Sequence, residues 1–294
     1  MEQFVQLLIY GIQLGVIYAL IALGYTMVYG IINLINFAHG DLVMIGSFAA
    51  YFAATLAGAG FFSAMAAAMI VPAVLSVVIE RLAYRPLRDK PRLSALITAI
   101  GVSIFLENFP RVVTFIGPKF RRFPDLIPIH SFEIVGHASI NTIQLTNIAA
   151  SSVLLALLVV LVRFTKMGRA MRAVSYNKDA AALMGINVNR VISSTFFIGA
   201  ALAGAGGVLY SLTYPMIDVL MGVWLGTKAF IAAVFGGIGS IPGAVLGGLL
   251  MGIIEVFATA VYSELGYGSS FVVLIFVLLF KPTGLMGKAP LDKV

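Results

Sequence analysis

The first 80 residues contain long apolar runs that are almost free of charge. The runs lie near 4–29, 42–57 and 61–79, and only His39 and Asp41 interrupt them. The longest exceeds the roughly 20 residues that a helix needs to cross a hydrocarbon layer of ~30 Å. The runs lack the alternation typical of outer-membrane barrels. Because only 11% of the 294 residues are charged, against about 25% in soluble domains, we predict an all-α fold, a polytopic integral membrane helix bundle in a lipid bilayer.

Later apolar runs predict further membrane spans. They lie near 93–116, 145–162, 191–212, 223–262 and 270–280. The glycine-rich stretch 236–243 interrupts one of these runs, and we expect it to separate two helices. The chain is therefore expected to form a single transmembrane domain over 1–294, with about eight segments, or nine if that stretch divides two spans, and with one or two broken helices.

Positive charge is concentrated in two segments. Five Lys or Arg and two Pro lie in 80–92, and six Lys or Arg lie between Arg163 and Arg190 against one Asp. Basic residues collect in cytoplasmic loops of membrane proteins, so loops at about 80–92 and 163–190 are predicted to be cytoplasmic, together with the basic tail after Lys281. The polar segments 117–143 and 213–222 are expected on the opposite side. The net charge of +7 then reflects topology, and no nucleic-acid partner is expected.

Common catalytic and nucleotide-binding motifs are absent from the sequence. It contains no Gly-x-x-x-x-Gly-Lys-[Ser/Thr], no His-Glu-x-x-His and no Gly-x-Ser-x-Gly, and it has no Cys and three scattered His. The first of these motifs is the usual phosphate-binding loop for ATP, and the others are typical of zinc enzymes and hydrolases. We therefore expect no catalytic residues, no metal site and no cofactor in this chain. If ATP powers its activity, a separate subunit binds the ATP.

Two breaks in the apolar sequence are candidates for a translocation pathway. Irregular backbone at membrane depth is tolerated where protein or a water-filled cavity satisfies its polar groups, and transporters often place substrate paths at paired broken helices. The first break, 33–41, has its counterpart in 236–243. The alternative for 33–41 is an interfacial turn between spans. The candidate residues in the two breaks are Asn33, Asn36, His39, Asp41, Gly237 and Gly239.

Three ionisable side chains lie inside later apolar runs. Glu255 lies midway along an apolar run, where a charge usually faces the bundle interior or a cavity. It is a further pathway candidate, and a purely structural partner explains it equally well. Glu107 is expected to form a local ion pair with Arg111 near a helix end. Lys228 is expected to lie close enough to a helix end for its ammonium group to reach the interface.

We interpret the stretch 168–190 as an element that binds a partner protein. Asn177 can cap a short helix, and Gly185 can end it. The small apolar residues between them suit insertion into a groove, while Arg169 and Arg172 can pair with carboxylates at its rim. An ordinary basic loop lying on anionic lipid is the alternative. The apolar residues are Ala180, Ala181, Ala182, Leu183 and Met184.

The order Asp179-Ala-Ala-x-x-x-Gly185 resembles the cytoplasmic EAA loop of ABC-importer permeases, which docks into a cleft of the ATPase subunit. Asp replaces Glu here, and no Ile-x-Leu-Pro ending follows. The resemblance implies an ATPase-coupling role for Gly168, Arg169, Arg172, Asp179, Ala180, Ala181 and Gly185.

A wider set of segments resembles the branched-chain amino acid permease family, LivH type. The segments are 24–41, 80–88, 167–172, 183–187, 236–244 and 282–285. The resemblance implies a bacterial inner-membrane subunit that pairs with a LivM-type permease, two ATPase subunits and a periplasmic substrate-binding protein. It favours Leu, Ile and Val as substrates. Urea or short amides, which the same family transports, remain an alternative, and an ion-driven secondary transporter is a more distant one.

Overall fold

In this computed structural model the described residues are 2–88, 90–113, 117–136 and 138–287. Position 89 of the first basic segment, positions 114–116 of the predicted fourth span and position 288 of the basic tail lie outside them.

The described residues form eleven α-helices and four short strands. The helices are α1 (Glu2–Ile32), α2 (His39–Ala57), α3 (Phe61–Ile79), α4 (Arg92–Val112), α5 (Thr142–Phe164), α6 (Lys166–Tyr176), α7 (Lys178–Leu183), α8 (Val188–Thr213), α9 (Met221–Gly236), α10 (Ile241–Val261) and α11 (Ser263–Phe280). The strands are β1 (Arg121–Arg122), β2 (Ser131–Val135), β3 (Ala138–Asn141) and β4 (Met216–Ile217). Within the described ranges, 8 helices are long and apolar enough to cross a membrane, and α9 is a shorter apolar helix. The predicted helical membrane bundle is confirmed.

The bundle has two chemically different ends. At the hairpin end, β2 pairs with β3 and β1 pairs with β4, and the Ser139 N–H donates to Gln6 Oε1 at 2.9 Å, which fastens this end to α1. The basic end contains residues 80–88, α6, α7 and the segment after α11. Here Arg88 Nη1 donates to Asn189 Oδ1 at 2.6 Å. The two basic segments therefore meet at the same end, as their charge predicted.

Helix α1 is the centre of the bundle because small residues let other helices approach it closely. A Cβ atom at Gly252 of α10 would overlap the backbone of Gly15, and one at Gly248 would overlap Ala19. Close approach through small residues is the usual way in which membrane helices associate, since water expulsion does not drive their packing. Helices α1 and α8 are the most buried spans, whereas α5 and α11 expose most of their surface.

The segment that its charge and prolines predicted to be a short loop outside the membrane is helical over residues 80–87. Helix α3 continues into a π-helical turn, Glu80–Tyr84, and a 3-10 turn, Arg85–Leu87. Glu80 is fully buried; it forms an ion pair with Arg88 and accepts from Ser193 Oγ at 2.6 Å. A buried carboxylate requires such partners, and satisfying them holds the chain in helical turns against α8.

Helix α11 begins at Ser263, seven residues before the apolar run that predicted it. Gly266, Gly268, Ser269 and Ser270 lower the hydropathy of its first turns, although they remain helical.

Candidate functional site

The first predicted break places the start of α2 inside the bundle. Helix α1 ends at Ile32, Asn33 takes a left-handed φ of 54°, and the chain turns back. The His39 imidazole then packs against Gly24, where a Cβ would overlap it, and against Tyr25 with ring centroids 4.5 Å apart. At ~1.5 Å per residue, Gly24 lies about 12 Å from the end of α1. Both His39 and Asp41 are 1% exposed, so they lie inside the bundle and not on its surface.

Helix α9 also starts inside the bundle. The backbone of Gly40 lies in direct contact with the backbones of Gly222 and Gly226, so the N-terminal parts of α2 and α9 pack against each other. With 16 residues, α9 is about 24 Å long, which is less than the ~30 Å of a hydrocarbon core. The structural counterpart of the first break is therefore the chain entering α9, and not the glycine-rich stretch that was predicted.

The glycine-rich stretch 236–243 is a turn at the basic end. It separates α9 from α10, as predicted, with Gly237 and Gly239 at φ values of 106° and 92°. The Leu285 N–H donates to Phe235 O at 2.9 Å, and the Met286 N–H donates to Gly236 O at 2.9 Å. Gly239 packs beside Gly30 near the end of α1. The two predicted breaks are thus neighbours, but only the first reaches the bundle interior.

A cavity of about 280 Å³ lies beside the contact between the N-terminal parts of α2 and α9. Asp41 and Glu107 line it together. The Ser103 hydroxyl donates to Asp41 Oδ2 at 2.6 Å and lies 3.3 Å from Glu107 Oε1. The rest of the wall is mainly aromatic and glycine surface, including Tyr25, Phe37, Phe230 and Phe271. We call this the Asp41 cavity; it combines carboxylate oxygens with an apolar wall.

The other residues of the first break hold the chain in place. Asn36 is buried and accepts from the Tyr84 hydroxyl at 2.7 Å, which ties the break to the turn after α3. Asn33 is exposed at the basic end. The predicted Glu107–Arg111 ion pair is wrong: Arg111 Nη1 donates to Asn108 Oδ1 at 3.4 Å, and no ion pair joins Arg111 to Glu107 among the residues described.

Glu255 belongs to a buried polar cluster between α1, α9 and α10. Lys228 Nζ lies 2.5 Å from Glu255 Oε1, and the Tyr18 hydroxyl donates to Glu255 Oε2 at 2.8 Å. The same ammonium group sits 5.0 Å from the centre of the Tyr267 ring. The expectation that Lys228 reaches the interface is therefore wrong, since its side chain is 14% exposed and pairs with a neighbouring helix. The other side of Glu255 borders a cavity of about 430 Å³ near the hairpin end.

The corner between α5 and α6 is built around Gly168 and Arg172. A Cβ at Gly168 would overlap the carbonyl oxygens of Leu161 and Val162. Arg172 donates to the Val162 carbonyl and, at 3.5 Å, to that of Arg163. The last carbonyls of a helix lack intrahelical partners and favour a nearby cation. Both residues thus hold α6 at a fixed angle to α5, and the guanidinium of Arg172 is engaged within the chain.

Helix α7 follows as the short, capped helix that the sequence predicted. Asn177 Oδ1 accepts from the N–H groups of Asp179 and Ala180, each at 3.0 Å. Gly185 has a φ of 81°, and the Ile186 N–H donates to Ala181 O at 3.0 Å to close the helix end. Ala181 is buried beneath the helix, whereas Arg169, Asp179 and Ala180 are exposed.

The outer surface around α7 is apolar. Tyr176, Leu183 and Met184 are 84%, 89% and 83% exposed. Leu183 ends α7 and Met184 follows it directly, and exposed apolar side chains that form a patch mark contact sites. We call these three residues the α7 surface. The sequence analysis did not identify Tyr176, because this residue is the last of α6 and precedes the capping pattern that identified α7.

Residues 7–279 match the family described as "Branched-chain amino acid transport system / permease component". The chain belongs to this permease family. It is 43% identical to the high-affinity branched-chain amino acid transport system permease protein LivH of Escherichia coli (strain K12), covering 99% of this chain and 98% of LivH. It is 44% identical to the corresponding protein BraD of Pseudomonas aeruginosa, with the same coverage of both chains. No solved structure matches the chain.

In this permease the sequence missed the pairing of Asp41 with Glu107 and Ser103. The available signal was two single carboxylates in otherwise apolar runs, but nothing in the sequence placed α4 beside α2. Among the described residues, no group of three His, Cys, Asp or Glu side chains lies in a position to hold a metal ion.

Proposed function

We propose that this multi-pass membrane protein is a permease subunit of an ATP-binding-cassette importer for the branched-chain amino acids Leu, Ile and Val. The observation that carries the proposal is the α7 surface, an unpartnered apolar contact site on a fixed corner. It occurs in a chain that matches LivH and BraD over 99% of its length. The names of these relatives favour amino acids over urea or short amides.

The proposed partners are those that the family resemblance implies. The sequence carries no phosphate-binding loop for ATP, and we assign the hydrolysis to two separate ATPase subunits. A second permease subunit of the LivM type completes the path, and a periplasmic binding protein delivers the substrate. We place the complex in a bacterial inner membrane, with the basic end in the cytoplasm, because Lys and Arg are enriched on that side.

Coupling is proposed to run through α6 and α7. The ATPase cleft receives Leu183 and Met184, and the carboxylate of Asp179 lies at the rim of this contact. Gly168 and Arg172 transmit the movement because they join α6 rigidly to the end of α5. Arg169 is exposed on the same corner and is free to pair with an acidic group of the ATPase.

The Asp41 cavity is the proposed substrate path within this subunit. Its carboxylates suit an ammonium group and its aromatic wall suits an aliphatic side chain. Two neighbouring carboxylates, of which Asp41 is buried and Glu107 half-buried, would also suit an ion-driven carrier, and the family match weighs against that alternative. Glu255 is engaged by Lys228 and Tyr18, so we assign it to bundle stability.

The decisive variant is Gly185→Val in proteoliposomes that contain all the subunits. A β-branched residue is strongly disfavoured at a φ of 81°, so the end of α7 must rearrange. We expect substrate uptake to fall by about tenfold or more per ATP hydrolysed. The matched control is Gly58→Val, which has a φ of 62° at the end of α2 and, like Gly185, no atom within 4 Å of a Cβ. Uncoupling by both variants would point to general backbone strain and contradict the coupling role of α7.

A further inference from the structure

A cleft of about 570 Å³ opens at the basic end between α3 and α8. Arg81 and Arg85 line it from the helical turns that follow α3, and Arg190 lines it from the first turn of α8. It is separate from the Asp41 cavity, with which it shares no lining residue.

The three guanidinium groups in this cleft form no ion pair with any of the described residues. The ion pairs of the described residues are Arg88–Glu80, Arg122–Asp125 and Lys228–Glu255, and none involves Arg81, Arg85 or Arg190. Like charges that converge on one cleft attract an anion strongly. Guanidinium groups favour phosphate oxygens, which they bind with two parallel hydrogen bonds.

The cleft also changes character along the direction of the spanning helices. Toward the bundle centre its wall is apolar, formed by Val77 on α3 and by Phe197 and Ile198 on α8. One turn closer to the basic end lie Arg81 on one helix and Ser193 and Ser194 on the other. Arg85 and Arg190 follow at the outer rim. On both helices the side chains that line the cleft are thus apolar toward the bundle centre, and they carry hydroxyl or cationic groups toward the basic end.

This order matches the layers of a phospholipid, from acyl chain through ester groups to phosphate. Basic pockets between membrane helices bind anionic headgroups. We propose that the cleft binds one anionic phospholipid, whose phosphate contacts Arg81, Arg85 and Arg190 and whose acyl chain lies on Val77, Phe197 and Ile198. Free phosphate would leave the apolar wall without a partner, so the occupant is a lipid. The inference is independent of the transported substrate.

A lipid bound in the cleft would contact both α3 and α8, next to the corner between α5 and α6. Met167 of α6 is one of its lining residues, and Ser193 also donates to the buried Glu80. The lipid therefore contacts the elements that position α6, and its loss is expected to loosen that corner.

The test uses the full chain purified with its accompanying subunits in detergent. Native mass spectrometry measures binding of dioleoyl phosphatidylglycerol and of dioleoyl phosphatidylcholine, which has the same acyl chains but no net charge. We expect tighter binding of phosphatidylglycerol, weakened roughly 10- to 100-fold in the triple variant Arg81→Gln, Arg85→Gln, Arg190→Gln. Binding of phosphatidylcholine should stay within about twofold.

The charge-matched control replaces Lys90, Arg163 and Lys166 by Gln, which removes three cations of the basic end that do not line the cleft. An equal loss of phosphatidylglycerol in this control would overturn the site and leave only a general attraction of the basic end.

Phe197→Gln separates a lipid from a free anion. We expect it to weaken phosphatidylglycerol binding several-fold, because it removes part of the acyl-chain wall. Unchanged binding in Phe197→Gln would overturn the proposal. So would thermal stabilisation of the unaltered protein by millimolar inorganic phosphate that equals the effect of the lipid.

Discussion

Single side chains inside this bundle show how a membrane interior accommodates charge. Glu80 and Glu255 each have a cationic partner and a hydroxyl donor. Asp41 and Glu107 instead share the hydroxyl of Ser103. Buried charges persist only when they are paired and hydrogen-bonded. Glu80 and Glu255 therefore join neighbouring segments through an ion pair and a hydroxyl donor, whereas Asp41 and Glu107 line the Asp41 cavity without a cationic partner among the described residues.

Lys228→Met tests a carboxylate that has a cationic partner. The substitution leaves the Glu255 carboxylate, whose side chain is 12% exposed, without its cation; breaking a fully buried pair costs about 3–5 kcal/mol, which is the upper limit here. We expect a large fall in the thermal unfolding midpoint in detergent, and recovery of most of it in Lys228→Met combined with Glu255→Gln. The exposed Lys166→Met serves as control and should change stability by less than about 0.5 kcal/mol. A stable single variant would show that Glu255 does not depend on Lys228.

Asp41→Asn tests a carboxylate that lines the Asp41 cavity. The amide has nearly the same shape, and its oxygen still accepts from Ser103, so the fold should be retained. It removes the negative charge that is proposed to face an ammonium group, and we expect the KM for uptake to rise about tenfold, which corresponds to about 1.4 kcal/mol. Glu133→Gln in β2 at the hairpin end is the control. An unaltered KM in Asp41→Asn would remove the cavity from the substrate path.

Whole helices were predictable where local chemistry decides their limits. Helix α7 has its cap and its glycine stop in consecutive sequence, so Asn177 and Gly185 located it correctly. The start of α9 was not predictable, because backbone packing of Gly222 and Gly226 on Gly40 sets it, and those residues are far apart in the chain. The helical turns after α3 escaped prediction for the same reason, since Glu80 finds Ser193 on α8. The Asp41 cavity likewise depends on contacts between distant helices.

The approach of α1 to α10 gives a test of helix packing. Gly252→Ala places a methyl group against the backbone of Gly15, which has no flexible atoms to move aside. We expect a loss of stability of about 1–3 kcal/mol, measured by thermal unfolding in detergent. Gly101→Ala in α4 is the matched control, because no atom lies within 4 Å of its Cβ. That variant should be neutral or up to about 1 kcal/mol more stable, since Ala favours helix. Equal losses would contradict the close-packing explanation.

The described part of the chain starts at one end of the bundle and finishes at the other, which requires an odd number of passages between the two ends. Glu2 packs against Gly136 at the hairpin end, and residues 285–286 are bound to the turn after α9 at the basic end. Eight long helices and the shorter α9, all within the described ranges, give the nine passages that this requires. The sequence predicted about eight or nine segments, but it left open both their exact number and the side on which the N-terminus lies.

The absence of cysteine makes the orientation directly measurable. Glu133→Cys in β2 and Ala182→Cys in α7 each introduce a single thiol on an exposed residue at opposite ends. With the basic end in the cytoplasm, a membrane-impermeant maleimide should label Glu133→Cys in spheroplasts, and Ala182→Cys only after the membrane is permeabilised. The unaltered chain is the blank. The reverse labelling pattern would invert the proposed topology.

The attachment of residues 285–286 to the turn after α9 also sets an order of events during biosynthesis. The carbonyl groups of Phe235 and Gly236 receive their N–H donors from residues made about 50 positions later. At about 5–20 residues per second, translation needs on the order of 3–10 s to supply them. Until α11 has entered the bilayer, the loop between α9 and α10 lacks these two hydrogen bonds. The nascent permease thus completes the surface of its basic end last, after all the long apolar helices of the bundle have been synthesised.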